Sequence, residues 1–197
     1  MNKRIAIYGG SFSPPHLGHA GVIELLVRFF PCQEIWVMPS SDREDKTMTA
    51  EGTRRMKMLE IMFSELFPNP RIPLILSPLE LAQDKPTITY ETKLELEKQY
   101  PELEFHFVIG QDILNDIETT WIKGKELFES ANFIIMKKPY LELPSNLPPN
   151  STIIESDAWL NLSSTFVRQL VKAGYSGIPY ITQGVYEYIQ KNNLYLL

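Results

Sequence analysis

The chain has 197 residues, of which 44% are hydrophobic and 22% are charged, and its formal net charge is −5 at pH 7. These values are ordinary for one water-soluble domain with a real hydrophobic core, and the negative charge argues against a nucleic-acid-binding surface. The single cysteine, Cys32, excludes an internal disulfide and a cysteine-based structural zinc site.

The sequence gives no sign of a membrane or secretion signal. Its uninterrupted apolar runs are all shorter than a membrane span, and its first residues lead directly into a predicted strand, so we expect no signal peptide. We therefore expect a cytoplasmic protein with no membrane partner and no nucleic-acid partner. A homo-oligomer stays open, because the sequence does not decide it.

The first half of the chain alternates short apolar runs with helical patterns. A strand is predicted at residues 5–8 and, after a turn at 9–19, a helix at 20–30 that Pro31 ends. A strand at 34–38, a polar loop at 39–49, a helix at 50–67 and a strand at 72–76 follow in that order.

The second half continues in the same way. A helix opened by a Thr89 cap is predicted at 89–100, followed by strands at 105–109 and 133–136. A proline-rich loop at 139–150 leads to a last strand at 152–155, and helices at 164–173 and 182–193 close the chain. This alternation predicts an α/β fold, a Rossmann-like doubly wound parallel sheet with a C-terminal helical segment. We expect a single domain over 1–197, with the sheet and its helices in 1–160 and the C-terminal helices in 161–197.

The turn after the first strand carries the strongest functional signal. Gly9 and Gly10 allow a sharp exit from the strand and a close approach to a ligand, and Ser11 and Phe12 follow them. His16 and His19 stand at the start of the next helix on either side of Gly18. Two imidazoles at a helix N-terminus are suited to hold an anion such as phosphate. A zinc site built on these histidines is rejected, because no third ligand is evident.

Two further segments could meet this turn. Gly110 and Asp112 directly follow the strand at 105–109, where a carboxylate can accept hydrogen bonds from ribose hydroxyls. Near the C-terminus, Ser163, Ser164 and Thr165 place hydroxyls at a helix start, and Arg168 lies one turn later. Lys137 and Lys138 follow the strand at 133–136, close enough to the active edge of the sheet to touch phosphate, although we interpret them as solubilising surface residues.

These segments resemble the motifs of the nucleotidylyltransferase superfamily. Residues 10–19 are similar to its G-x-F-x-P-x-H-x-G-H signature, and residues 163–168 to its S-S-T-x-[IV]-R motif. The resemblance implies transfer of a nucleoside monophosphate from a nucleoside triphosphate to a phosphate acceptor, with ATP and a mononucleotide as partners. It assigns His16, His19 and Arg168 to catalysis. It assigns ATP binding to Gly9, Gly10, Ser11, Phe12, Gly18, Lys46, Gly110, Asp112, Ser163, Ser164 and Thr165. Magnesium is expected with the ATP, held by phosphates and water, with no protein metal site.

Within the superfamily, the chain is most similar to the nicotinate mononucleotide adenylyltransferase family. The stretch from Gly110 to Trp121 resembles that family's G-x-D-x-L…W pattern, and the helix with Arg55 resembles its R-x-x-M-L pattern. The resemblance implies that Thr89, Trp121 and Arg55 contact the acceptor, with Trp121 stacked on a pyridine ring. Core packing is an alternative for Trp121.

Two loops depart from the family pattern. Residues 39–46 replace a Pro-Pro-His-Lys motif, so that only Lys46 can stand in for the lysine, and residues 87–93 lose an aromatic. Ser13 also replaces a frequent aspartate. Two alternatives therefore stay open: another phosphate acceptor (nicotinamide mononucleotide, phosphopantetheine or another nucleotide), or a non-catalytic nucleotide-sensing module.

Overall fold

The computed structural model describes residues 2–41, 50–83, 86–139, 141–158 and 160–196. In these ranges six strands form one parallel sheet with the order β3-β2-β1-β4-β5-β6. The four inner strands are apolar and buried along their middles, as expected for strands that are covered on both faces, whereas the edge strands β3 and β6 are more exposed. The strands are β1 (Lys3–Gly10), β2 (Glu34–Pro39), β3 (Leu74–Leu76), β4 (Leu103–Gly110), β5 (Asn132–Lys137) and β6 (Ser151–Glu155).

Helices connect most of these strands. They are α1 (Leu17–Phe29), α2 (Gly52–Leu66), α3 (Thr89–Gln99), α4 (Leu114–Thr120), α5 (Gly124–Ser130), α6 (Ser164–Lys172) and α7 (Gln183–Lys191). A single 3₁₀ turn, Gln111–Ile113, joins β4 to α4. In the part of the chain that the structure describes, no helix combines the length and apolarity needed to cross a membrane.

The side chains of the sheet alternate between two core layers. Along β1, Ala6 points into the first layer, while Ile5 and Ile7 point into the second, as the two-residue period of a strand requires. The first layer lies between the sheet and α1, α2, α6 and α7, whereas the second lies between the sheet and α3, α4 and α5. The predicted doubly wound fold is therefore confirmed.

The prediction was incomplete between β4 and β5. All six predicted strands and all five predicted helices are present, but α4 and α5 were not predicted. Each has only seven residues, which is too short for a clear helical period. The Thr89 cap is also wrong: α3 begins at Thr89, but Ile88 occupies the N-cap position and makes no side-chain cap.

The strand order places a crevice beside β1 and β4. From β1 the chain moves outward to β2, whereas from β4 it moves in the opposite direction to β5. Ligands bind at such a switch point, beyond the carboxyl ends of the strands. Ile7 lies opposite Phe107, so Gly10 and Gly110, each three residues further along, end the two strands side by side. The turn at residues 9–19, which we call the histidine turn, and the turn that begins at Gly110 therefore leave the sheet at neighbouring positions.

Candidate active site

A cavity of about 770 Å³ opens at this edge of the sheet. The histidine turn contributes its first wall and the end of β4 its second. The third wall is the start of α6, which belongs to the C-terminal segment. The predicted residues that line this cavity are Gly9, Ser11, His16, Gly18, His19, Gly110, Asp112, Ser163, Ser164, Thr165 and Arg168.

The two histidines form a stacked pair. Their ring centroids lie 3.6 Å apart and their planes differ by 23°. The backbone N–H of His16 donates a hydrogen bond to Nδ1 of His19 at 3.0 Å. Since Nδ1 of His19 accepts, its neutral ring carries the proton on Nε2, which makes Nε2 a hydrogen-bond donor.

Both histidines are neutral in the free protein at pH 7. Burial lowers the pKa of His16 to about 4. Burial, followed by repulsion from His16, holds the pKa of His19 well below its ordinary value. The histidines therefore offer hydrogen bonds to an anion, and they carry positive charge only once a bound anion raises their pKa. Within the described ranges, Nδ1 of His16 is buried without a hydrogen-bond partner.

The side chain of Phe12 supports the histidine turn from the core side. Phe12 is fully buried with a φ of 48°, and its ring packs edge-on against His19 at 4.8 Å and Tyr8 at 5.5 Å. A Cβ at Gly10 would come within 3.1 Å of the Phe12 ring, so glycine leaves room for it. Gly10 and Phe12, predicted to bind ATP, do not line the cavity; they support its floor instead.

The start of α6 is bound directly to the histidine turn. Ser163 caps the helix by accepting from the N–H of Phe166, and the hydroxyl of Ser164 donates to the carbonyl of Pro14 at 2.8 Å. The Arg168 guanidinium donates to the carbonyl of Ser13 at 2.8 Å and to Thr165 Oγ1 at 3.1 Å. The two ends of the chain thus meet around one cavity.

A further contact limits the anion-binding role predicted for the α1 N-terminus. The N–H of Leu17, the first residue of α1, donates to the carbonyl of Tyr180 at 2.8 Å. This donor is therefore occupied, and phosphate binding at α1 would rely on Gly18 and the histidine side chains. The hydroxyls of Ser13 and Tyr195 lie 3.1 Å apart and add another contact with the C-terminal segment.

The opposite wall carries an ion pair that the sequence did not predict. Lys138 Nζ lies 2.8 Å from Asp112 Oδ2, and both side chains line the cavity. Gln111 accepts from the N–H of Lys138 and donates to the carbonyl of Glu142, which fixes this loop to the end of β4. The position of Lys138 just after β5, the neighbour of β4, places it close to this edge, as the sequence allowed, and its ion pair with Asp112 gives it more than the solubilising role that the sequence favoured.

Comparison with known proteins identifies the family. A model of the cytidylyltransferase-like family matches residues 7–170, which include the histidine turn and the start of α6. The chain belongs to the cytidylyltransferase-like family. The resemblance to nucleotidylyltransferases, and among them to nicotinate mononucleotide adenylyltransferase, is confirmed.

Two relatives match nearly the whole chain. The cytidylyltransferase-like chain is 31% identical to a probable nicotinate-nucleotide adenylyltransferase of Oceanobacillus iheyensis, over 98% of this chain and 97% of the relative. It is 29% identical to a protein of the same name from Geobacillus kaustophilus, over 98% and 86% of the two chains.

A solved structure is similar throughout. Nicotinic acid mononucleotide adenylyltransferase of Plasmodium falciparum, complexed with NaAD, superposes with a TM-score of 0.86 and 27% identity, over 98% of this chain and 97% of that one. The same enzyme complexed with APC, an ATP analogue, gives a TM-score of 0.83 and 25% identity.

Arg55 occupies a different place from the one predicted in this cytidylyltransferase-like fold. It is fully buried, and it does not line the cavity. Its guanidinium donates to the carbonyls of Ser11 and Ser40, both at 2.8 Å, and to that of Ala50 at 3.1 Å. Arg55 therefore holds together the loops after β1 and β2, and its complete burial keeps it from contact with a ligand in the cavity.

The other predicted acceptor residues also lie outside the cavity. Trp121 is half-buried at the end of α4 and packs against the second core layer, which agrees with the core-packing alternative. Thr89 is half-buried at the start of α3. Lys46 lies outside the described residues.

The donor set fits magnesium bound through phosphate. Among the residues that the structure describes, no group of three or more His, Cys, Asp or Glu side chains could hold a metal ion. Asp112 is a carboxylate at the cavity, and it is paired with Lys138. Such a site suits a hydrated ion carried by a nucleotide and does not suit a protein cage.

Proposed function

We propose that this protein transfers AMP from ATP to nicotinate mononucleotide, releasing pyrophosphate and forming nicotinate adenine dinucleotide, a step of NAD biosynthesis. The observation that carries the proposal is that His16, His19 and Arg168, from opposite ends of the chain, line one cavity. The relatives named above and the two complexes with NaAD and an ATP analogue support the same activity. The protein is accordingly a nucleotidyltransferase.

The reaction follows from placing the triphosphate across this cavity. A phosphate oxygen of the acceptor attacks the α-phosphorus of ATP, the bond from that phosphorus to the bridging oxygen breaks, and pyrophosphate leaves with the bond electrons. Nε2–H of His19 and the His16 ring stabilise the charge that develops on the α-phosphate, while Arg168 and Thr165 hold the departing phosphates. Catalysis of this kind depends on positioning and on preorganised donors, so no covalent intermediate with the protein is needed.

The other end of the cavity suits the nucleoside. Gly110 and Asp112 lie where a ribose could hydrogen-bond to the carboxylate, and Lys138 would then have to share or release Asp112. Apolar side chains of Ile109, Ile113 and Met136 nearby offer a surface for the adenine base. Magnesium, carried by the phosphates, would neutralise part of their charge. The cytoplasmic location and the oligomeric state stay predictions.

One assay tests the proposal against both alternatives. The protein is mixed with ATP, magnesium and a panel of mononucleotides and other phosphate acceptors, and pyrophosphate and product are measured. Turnover with nicotinate mononucleotide supports the proposal. Turnover with a different acceptor alone would leave adenylyl transfer in place and change only the identity of the acceptor. Nucleotide binding without turnover on any acceptor would instead identify a sensing module.

A further inference from the structure

A second pocket of about 490 Å³ adjoins the cavity at α6. One wall is a single face of this helix, formed by Thr165, Arg168, Gln169 and Lys172, whose spacing of three and four residues puts them on one side. Residues 193–196 form the other wall. Thr165 and Arg168 also line the cavity, so the two spaces meet at these side chains.

The charge of this pocket is one-sided. Among the described residues that line it, Arg168 and Lys172 are cations and none has a carboxylate side chain. The described residues also provide no ion-pair partner for either cation. Burial raises the pKa of Tyr195, at the base of the pocket, to about 12, so this tyrosine adds no negative charge at pH 7. In a chain with a net charge of −5, such a space favours an anion.

The hydrogen bonds of Arg168 hold its guanidinium where the cavity and the pocket meet. Nη1 donates to Ser13 on the side of the histidine turn, and Nη2 donates to Thr165 on the same helix. These two bonds fix the guanidinium at the border between cavity and pocket while using two of its five N–H donors. Lys172 lies four residues further on, about 6 Å along the helix axis.

We propose that this pocket is a subsite for the departing pyrophosphate, and that Lys172 is a binding residue for it. The inference rests on the proposed function, which places the terminal phosphates of ATP at Thr165 and Arg168. A pyrophosphate released there would meet a second cation, Lys172, about one helical turn away in the adjoining pocket.

If Lys172 only stabilises its own helix, a different experimental result is expected. Lys172 ends α6, where a cation stabilises a helix through its dipole. In that case its removal would lower the stability of the protein and leave the affinity for pyrophosphate unchanged. Lys191 provides a matched control, because it is an exposed lysine that ends α7, another nine-residue helix.

The test compares Lys172→Ala, Lys172→Arg and Lys191→Ala with the wild type. Titration calorimetry measures the binding of inorganic pyrophosphate to each protein without any acceptor, and thermal unfolding monitors stability. We expect Lys172→Ala to weaken pyrophosphate binding roughly three- to tenfold, the range for one charge-assisted contact partly exposed to water. Lys172→Arg should restore most of the affinity, and Lys191→Ala should match the wild type. Pyrophosphate inhibition of the forward reaction should change by the same factor.

Each outcome decides the inference. A wild-type protein that does not bind millimolar pyrophosphate, or a Lys172→Ala variant with unchanged affinity, would overturn it even if the enzyme is active. Weakened binding in Lys172→Ala but not in Lys191→Ala supports it even if no acceptor in the panel is used. The binding measurement therefore separates a failure of this subsite from a failure of the proposed reaction.

Discussion

His16 and His19 illustrate how one pair of side chains can serve structure and chemistry together. Their stacking and the bond from His16 N–H to His19 Nδ1 set the orientation of both rings before a ligand arrives. Preorganised donors of this kind lose little free energy to reorientation when charge develops in a transition state. The rings stay neutral until an anion binds, so the free site avoids repulsion between two buried cations.

Replacing His19 tests its place beside the α-phosphate. We expect His19→Ala to reduce the rate of pyrophosphate release by at least about 100-fold, which is typical for the loss of a group that stabilises transition-state charge. Circular dichroism and cooperative unfolding should show that the fold is kept. A rate close to wild type would mean that the reaction takes place elsewhere.

The lowered pKa of His16 predicts a pH dependence of stability. The unfolded chain binds a proton at His16 as pH falls through the ordinary pKa of 6.5, whereas the folded protein does so only near about 4. Stability is thus fully present above pH 6.5 and is lost as pH falls from 6.5 toward 4.

The size of that loss can be measured with one substitution. Between pH 7 and pH 5 this linkage should cost about 2 kcal/mol of unfolding free energy, and His16→Asn should remove that part of the pH dependence. Urea unfolding at the two pH values provides the measurement. The contradicting result would be an equal loss in the wild type and the variant.

If Arg55 is a structural residue, its replacement should lower stability, whereas replacing a ligand-binding residue should raise KM. Replacing it with methionine would leave buried carbonyls of Ser11, Ser40 and Ala50 without their donor, so we expect Arg55→Met to destabilise the protein by about 3–5 kcal/mol in urea unfolding. The neighbouring Arg54 is partly exposed, with an ion pair to Glu51, and Arg54→Met should cost about 1 kcal/mol or less. A variant at Arg55 with unchanged stability but a raised KM for the acceptor would restore the acceptor-binding role.

At the scale of secondary-structure elements, α1 contains two glycines that differ in the space available for a side chain. A Cβ at Gly18 would lie 2.9 Å from Nδ1 of His16 and would push the ring aside, whereas a Cβ at Gly21 would meet only Leu160 Cδ1 at 4.0 Å. Alanine favours a helix over glycine by about 0.8–1.0 kcal/mol at both positions.

The two alanine variants should therefore differ in activity. We expect Gly21→Ala to be more stable than the wild type and fully active. Gly18→Ala should lose at least about tenfold in kcat, because the His16 donor is displaced from the geometry that catalysis requires. Steady-state kinetics and thermal unfolding measure both effects. Equal activity of the two variants would show that the exact position of His16 is unimportant.

The elements also show why sequence patterns predicted some features and missed others. The middles of β1, β4 and β5 are continuous apolar runs, because both faces of each strand are buried there, and these strands were predicted in the right places but one or two residues short at each end. By contrast, α4 and α5 have seven residues each, and their helical state depends on packing Ile117 and Leu127 into the second core layer.

The same distinction holds for the site. The histidine turn and the start of α6 are local motifs. They could be predicted because the functional residues of each lie close together in the sequence. The pairing of Lys138 with Asp112 and the carbonyl bonds of Arg55 are contacts between distant segments; the sheet order places Lys138 near this edge, but no local pattern identifies the partners of either residue. Trp121 fits either a stacking or a packing role by composition, and only its place at the end of α4 favours packing.

At the scale of the whole molecule, the C-terminal segment is part of both the core and the site. Val167, Val171, Val185 and Ile189 complete the first core layer, and the bonds of Ser164 and Arg168 join α6 to the histidine turn. A division at residue 160 would therefore expose apolar surface that the sheet cannot cover by itself.

The single-domain prediction can be tested by cooperativity. We expect urea unfolding followed by tryptophan fluorescence, whose three reporters Trp36, Trp121 and Trp159 all precede residue 161, to coincide with unfolding followed by far-ultraviolet circular dichroism. A chain ending at residue 160 should not give a folded protein. Two separated transitions would mean that the C-terminal helices unfold independently.

The contact between Tyr195 and Ser13 has a practical consequence for handling the enzyme. β1 starts at Lys3 on the far edge of the sheet, and its eight residues separate that edge from the cavity by roughly 25 Å. Purification tags joined ahead of Lys3 leave the reaction centre undisturbed, whereas a fusion partner joined after Tyr195 would crowd it. Kinetic constants are therefore best measured on protein tagged at its amino terminus.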